Sequence, residues 1–234
     1  MKKTLCITFL LLLSFLSTIC LAGSITFTEA EDSHIVFVSN ILHNDDNYGN
    51  STVIRTANNG IYDTFGLIKF VDIFGTEPDQ ISTGANIISA DLHLWMSRES
   101  AAFPNTIKLY QLVRNWDEST VTERNYGSIL DGIFITSYSK LTADSASLPQ
   151  ELVFDVTASL LSWQTDNGDT VFGWGIESQT LHAENYFYSS ESADYQPFLV
   201  LNYDSSPVPA PGTILLLCAG LLGLSGLNRR KMKE

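Results

Sequence analysis

The chain has little cysteine, and it has little basic charge between its two ends. All three cysteines, Cys6, Cys20 and Cys218, lie in apolar end segments, so the middle of the chain cannot rely on disulfides. Of the 13 basic residues only 7 fall within residues 23–206, against 25 of the 26 acidic residues, which gives this region a net charge of −18. Such a surface repels nucleic acid and anionic lipid, and it favours solubility and divalent cations.

Familiar catalytic motifs are also absent from the sequence. It contains no G-x-S-x-G, no H-E-x-x-H and no cysteine nucleophile between its ends, and its four histidines are scattered. A polysaccharide lyase or hydrolase could still be assembled from dispersed tyrosines, histidines and carboxylates, because spacing in sequence does not reveal which residues meet in space. We therefore expect a protein that is not an enzyme, with a lyase or hydrolase as the less favoured alternative.

Residues 1–22 have the pattern of a secretory signal peptide. Two lysines precede an apolar run, and the small residues Cys20 and Ala22 stand at the third and first positions before a cleavage site at Gly23. The pattern predicts that the protein is exported and that this segment is removed.

A second apolar segment, Thr213–Leu227, lies near the end of the chain. As a helix its 15 residues would span about 22 Å, less than the roughly 30 Å of a bilayer's hydrocarbon core. A proline motif precedes the segment and basic residues follow it. The residues of this pattern are Val208, Pro209, Ala210, Pro211, Arg229 and Arg230.

Residues 207–234 thus resemble the PEP-CTERM sorting signal of Gram-negative bacteria, with Ala210 where a glutamate is usual. The resemblance implies a transmembrane helix that enters the inner membrane transiently and an exosortase-type membrane protease as a partner. It also implies delivery of the protein to the cell surface or extracellular matrix. A plain single-span anchor, with its basic end in the cytoplasm, is the alternative.

The region between the two signals, residues 23–206, is long enough for one domain. Ten short runs rich in Val, Ile, Phe, Tyr and Thr alternate with turn residues, which is typical of β-strands. One segment, 155–168, instead has Val156, Leu160 and Trp163 at helical spacing, with Asp155 placed to cap the first turn. We predict an all-β fold, a single jelly-roll β-sandwich with one short helix.

Several phrases within residues 32–203 occur in a recognisable order. They are Asp32 before a strand, Asn47-Tyr48-Gly49, "GLIKF", "ISADLHL", "WDESTVT", "FDVT" and a closing pattern from Phe187 to Tyr203. This order resembles the DNRLRE-type domain, which overlaps the carbohydrate-binding module family called CBM96. Two departures are Glu123, where a tryptophan is usual, and Leu201, where a valine is usual.

The resemblance implies a non-catalytic, extracellular β-sandwich of a kind often attached to polysaccharide lyases or found in surface proteins. Some members of the carbohydrate-binding family bind alginate. The acidic surface of this chain argues against direct binding of such polyanions unless calcium bridges them.

Aromatic rings that stack on sugars are the first requirement of a carbohydrate site. In "ISADLHLWMS" apolar residues alternate with three other side chains. The apolar set is predicted to lie in the core and the other three side chains on the outer face of the sheet. Basic residues of two neighbouring strands could lie beside the outer set. The predicted carbohydrate-binding residues are Arg55, Lys69, Asp91, His93 and Trp95. The alternative is that a loop or the N-terminal segment covers Trp95, because tryptophan is usually buried.

The stretch "HNDDNYGN" concentrates oxygen ligands of the kind that calcium uses, among them Asp45, Asp46 and Asn47. It lacks the spacing of an EF-hand, and a solvated loop with an Asx-turn is the alternative. No other cofactor is expected.

These observations predict a secreted or surface-sorted, non-catalytic protein that binds or organises extracellular polysaccharide. The alternative from another class is a structural or adhesive matrix protein that uses the same fold for protein contacts only. Nucleic acid is not expected as a partner.

Overall fold

The computed structural model describes residues 22–38, 44–100, 105–127, 131–140 and 148–204. One compact unit spans Gly23–Tyr203. The predicted sorting signal and all but the last residue of the predicted signal peptide lie outside the described residues. In these ranges no helix is both long enough and apolar enough to cross a membrane.

Eleven strands and two short helices are found in the described ranges. The strands are β1 (Ala22–Phe27), β2 (Ala30–Val38), β3 (Val53–Asn58), β4 (Tyr62–Phe70), β5 (Asn86–Ser100), β6 (Asn105–Gln111), β7 (Ile133–Lys140), β8 (Gln150–Asp155), β9 (Trp174–Ser178), β10 (Ala183–Tyr188) and β11 (Phe198–Asp204). The helices are α1 (Glu123–Tyr126) and α2 (Thr157–Gln164). Each of the ten predicted strand runs overlaps one of the strands β2 to β11.

The strands form a curled antiparallel sheet. Their order is β1-β11-β5-β10-β3-β4-β9-β6-β7, with β2 beside β4 and β8 beside β5. Neighbours in the sheet are mostly distant in the chain, as in folds built from long crossing connections. The prediction of an all-β sandwich is therefore confirmed.

The core consists of two groups of buried side chains. The larger group contains Trp163 and Trp174, whose ring centroids are 4.9 Å apart. The smaller group surrounds Leu67 and Trp116. Leu201, one of the two departures from the family pattern, is fully buried in the larger group and fills the position of a core side chain.

Both helices are short and are fixed by contacts close to their ends. At the start of α2, Asp155 Oδ1 accepts a hydrogen bond of 2.9 Å from the backbone N–H of Thr157. This contact resembles the role predicted for Asp155, which is to cap the first turn of the helix. Helix α1 was not predicted, because a single turn is too short to show hydrophobic periodicity. A capping box formed by Thr122 and Asn125 stabilises this turn.

Strand β5 offers a direct test of which side chains form the core. Leu92→Ala removes a fully buried side chain, so we expect the free energy of unfolding in urea to fall by about 2–5 kcal/mol. Ile88→Ala, an exposed position on the same strand, is the control and should change it by less than about 0.5 kcal/mol. Equal losses from both variants would contradict the burial assigned to these two positions.

Candidate functional site

The outer face of β5 presents three of the predicted site residues. Asp91, His93 and Trp95 are half-buried, whereas Leu92 and Leu94 between them are fully buried. The alternation along this strand is therefore the predicted one, with successive side chains on opposite faces of the sheet.

The imidazole of His93 is held between two neighbouring strands. Its ring stacks on that of Phe198 of β11, with centroids 4.2 Å apart and planes 12° from parallel. Its Nδ1 lies 2.8 Å from Oε1 of Glu151 on β8. These two contacts fix the orientation of the imidazole on the outer face.

Trp95 lies against two tyrosines from another part of the chain. Its ring centroid is 5.1 Å from that of Tyr195, which in turn is 5.2 Å from that of Tyr188. Tyr195 belongs to the segment between β10 and β11 and is 45% exposed. The loop predicted as an alternative therefore partly covers Trp95, but the covering side chain is itself an exposed aromatic ring.

Beyond Trp95 the same face continues across β10 to β3. Tyr186 pairs with Arg98 on one side and with Arg55 on the other. Both guanidinium groups lie over its ring, with the carbon of Arg98 at 5.3 Å and that of Arg55 at 5.9 Å from the ring centroid. Arg55 also forms an ion pair with Glu184.

These contacts define one surface, which we call the aromatic face. Directly paired residues of neighbouring strands point to the same side of a sheet, and the ring contacts join the strand residues to the segment before β11. The aromatic face consists of His93, Trp95, Tyr186, Tyr188, Tyr195 and Phe198.

Lys69, the fifth predicted residue, lies elsewhere. Its Nζ is 2.8 Å from Oε2 of Glu31 and donates to the backbone oxygen of Trp116 at 2.7 Å. Strand β4 is separated from β5 by β3 and β10, so Lys69 does not join the aromatic face. Sequence pattern alone could not show this strand order.

Two of the three predicted calcium ligands bind other parts of the chain in the described structure. Asp45 forms two hydrogen bonds to the guanidinium of Arg124. Asn47 uses its Nδ2 to donate to the backbone oxygens of Glu118 and Val121, both at 2.8 Å. The loop is thus joined to the segment that follows Trp116, and calcium binding by Asp45, Asp46 and Asn47 stays a prediction.

Three other carboxylates do come together. Oxygens of Asp32, Glu118 and Glu191 lie within 4.8 Å of one another. Asp32 is 1% exposed, and its Oδ2 accepts a hydrogen bond of 2.7 Å from the backbone N–H of Ser190. Among the described residues this is the group whose oxygens could share a divalent cation. Each of the three carboxylates lies in a phrase of the family pattern. The three phrases are too far apart in sequence for the proximity of the carboxylates to be predicted.

A model of carbohydrate-binding module family 96 matches residues 24–203, nearly the whole compact unit. The chain belongs to carbohydrate-binding module family 96. A second model, the PEP-CTERM protein-sorting motif, matches residues 207–231. No curated protein sequence matches the chain.

Both resemblances seen in the sequence are therefore confirmed. Membership of the CBM96 family indicates carbohydrate binding, and the sorting motif indicates export and exosortase-dependent sorting in a Gram-negative bacterium. The aromatic face and the carboxylate group both lie within the part of the chain that the CBM96 model matches.

Two buried groups of the CBM96 domain have strongly shifted pKa values. Burial, together with the nearby charges of Glu191 and Glu118, raises the pKa of Asp32 from 3.8 to about 8, although the hydrogen bond from Ser190 opposes this shift. Burial also lowers the pKa of His34 from 6.5 to about 4. A neutral His34 fits its position, where the ring stacks on that of Tyr48 at 4.2 Å.

The shifted pKa of Asp32 predicts that stability falls as the pH rises. Between about pH 4 and 8 the folded state keeps a proton on Asp32 that the unfolded state has lost, so unfolding becomes easier as the pH increases. His34 acts in the opposite direction, but only between about pH 4 and 6.5. From pH 6.5 to 8.5 we therefore expect the free energy of unfolding to decrease.

The slope of the free energy of unfolding against pH can be measured by urea unfolding at a series of pH values. Asp32→Asn removes the titrating group and should flatten the curve above pH 6.5. Asp46→Asn, the same change on an exposed loop, is the control and should leave the slope in place. A slope that persists in Asp32→Asn would contradict the assignment to Asp32.

Proposed function

We propose that this CBM96 domain binds extracellular polysaccharide through the aromatic face, without catalysis, after the sorting motif has delivered the protein to the outside of the cell. The observation that supports the proposal is the contact of three aromatic rings, Trp95, Tyr195 and Tyr188, on the solvent side of the sheet. Aromatic rings present flat apolar surfaces on which sugar rings stack.

The dimensions of the aromatic face favour a chain of sugars over a single one. Along β5 the face extends from His93 to Arg98, six residues that span about 17 Å of strand. Rings lie at both ends of this distance, with Phe198 beside His93 and Tyr186 beside Arg98. A ligand that contacts all of them must be extended.

Polar groups around the rings could fix the orientation of the ligand. The carboxylate of Glu151 lies beside His93. The hydroxyl of Ser97, two residues after Trp95 in the chain, donates a hydrogen bond of 3.1 Å to the backbone oxygen of Tyr186. A few polar groups placed among apolar surfaces are typical of small-molecule sites.

The charge of the domain favours a neutral polysaccharide as the ligand. Residues 23–206 have a net charge of −18, which repels a polyanion at long range. On the aromatic face Arg55 is already paired with Glu184, and His93 with Glu151. Binding to a neutral glycan should therefore depend little on salt concentration.

A second candidate function, protein contact in the matrix, is favoured by strand β7. Ile133 and Phe134 are 56% and 52% exposed, and β7 stands at the end of the strand order. Exposed apolar residues on an edge strand favour pairing with another chain. If this candidate is correct, the protein should self-associate in sedimentation experiments without glycan, and Phe134→Asp should reduce the association.

The carbohydrate proposal predicts a loss of affinity when the central rings are removed. We expect Trp95→Ala and Tyr195→Ala each to weaken binding by about tenfold, because a ring contact contributes about 0.5–1.5 kcal/mol beyond its buried area. Affinity electrophoresis across a panel of neutral and acidic polysaccharides would measure the effect. Tyr62→Ala, which removes a ring of similar exposure, 43%, on β4, is the control.

Two outcomes would contradict this proposal. Equal mobility of the wild-type protein on every polysaccharide of the panel would exclude binding. New unsaturated or reducing ends after incubation with a bound polysaccharide would show that the protein is an enzyme.

A further inference from the structure

The segment 189–197 brings Tyr195 to the aromatic face. Strand β10, before the segment, pairs with residues 96–100 of β5. Strand β11, after the segment, begins at Phe198, whose ring stacks on His93. The segment therefore joins two strands that both contact β5, and from this segment Tyr195 contacts Trp95.

The backbone of Tyr195 needs support from its surroundings. Its φ angle is +60°, in the left-handed region that residues other than glycine, asparagine and aspartate rarely adopt. Such a conformation is strained, and it persists only when neighbouring contacts hold it. Within the segment, Gln196 Nε2 donates to the backbone oxygen of Ser190, and the N–H of Ser192 donates to the oxygen of Ser189.

Two hydrogen bonds join backbone N–H groups of the segment to other parts of the described structure. The N–H of Ser189 donates to the oxygen of Thr52 over a long 3.3 Å. The N–H of Ser190 donates to Oδ2 of Asp32 over 2.7 Å. The contact with Asp32 is therefore the closer of the two, and a carboxyl oxygen can accept this hydrogen bond whether or not the acid carries its proton.

A buried aspartate is costly, and its position calls for a physical reason. Asp32 lies on β2, is 1% exposed, and faces two further carboxylates, those of Glu118 and Glu191. An apolar side chain at this position would avoid the cost of burying a polar group among acids. It would also leave the N–H of Ser190 without its acceptor.

We propose that Asp32 is a positioning residue for the aromatic face, whose carboxyl group holds the segment 189–197 so that Tyr195 lies against Trp95 and Tyr188. This inference deepens the proposed carbohydrate function, and its binding measurements rest on that function. The position of Tyr195 can, however, be measured without any ligand.

Tryptophan fluorescence gives this independent measurement. Trp116, Trp163 and Trp174 are buried, whereas Trp95 is half-buried beneath Tyr195. The fluorescence that acrylamide can quench therefore reports mainly on Trp95. Tyr195→Ala, which uncovers the Trp95 ring, sets the upper limit of quenching, and Trp95→Phe sets the background.

Asp32→Ala removes the acceptor of the Ser190 N–H. We expect its quenching to approach that of Tyr195→Ala, and its affinity for the polysaccharide that the wild type binds to fall by about tenfold, as in Tyr195→Ala. Asp32→Asn keeps a side-chain oxygen that can accept the same hydrogen bond, so both values should stay within about twofold of the wild type. Asp169→Ala, an exposed position in the turn after α2, is the control and should change neither.

Thermal unfolding shows first whether each variant is folded. Wild-type quenching and affinity in a folded Asp32→Ala would overturn the proposal. If Asp32→Ala does not fold, Ser190→Pro replaces it: this change removes the N–H that donates to Asp32 and leaves the carboxyl group in place. Increased quenching there supports the proposal and wild-type quenching overturns it. If the wild type binds no polysaccharide, the carbohydrate function fails, and quenching alone decides the role of Asp32.

Discussion

The alternation of side chains along β5 is the constraint on which both the core and the aromatic face depend. This 15-residue strand pairs with β8 through residues 91–96 and with β10 through residues 96–100. Its period of two places Leu92 and Leu94 in the core and His93 and Trp95 on the outside. A shift of one residue in its pairing would exchange the two sets, so the register of β5 fixes the site.

Much of the fold followed from the sequence because strand patterns are local. The ten runs of β-forming residues and the helix at α2 could be predicted from spacing alone. Strand β1 was not predicted, since it begins at the last residue of the predicted signal peptide. Glu123, the second departure from the family pattern, accepts a hydrogen bond of 2.9 Å from the backbone N–H of Asn44, a long-range contact that no local pattern reveals.

The site was predicted only in part, for the same reason. The residues on β5 could be predicted from their alternation, and "NYFYSS" contains a comparable signal, because Tyr186 and Tyr188 alternate with buried Asn185 and Phe187. Tyr195 could not be predicted, because it lies in a connecting segment with no periodicity. The grouping of Asp32 with Glu191 depends on strand order, so it could not be predicted from the sequence either. The sequence therefore revealed one strand of a surface to which three other parts of the chain contribute.

The central claim is that the aromatic face is the surface that contacts polysaccharide. The most direct measurement is a ¹H–¹⁵N NMR titration of the protein with a soluble oligosaccharide that it binds. We expect the indole N–H signal of Trp95 and the amide signals of residues 186–198 to shift, while the indole signals of the buried Trp163 and Trp174 stay in place. Shifts confined to β7, around Ile133 and Phe134, with no change at Trp95, would contradict the claim.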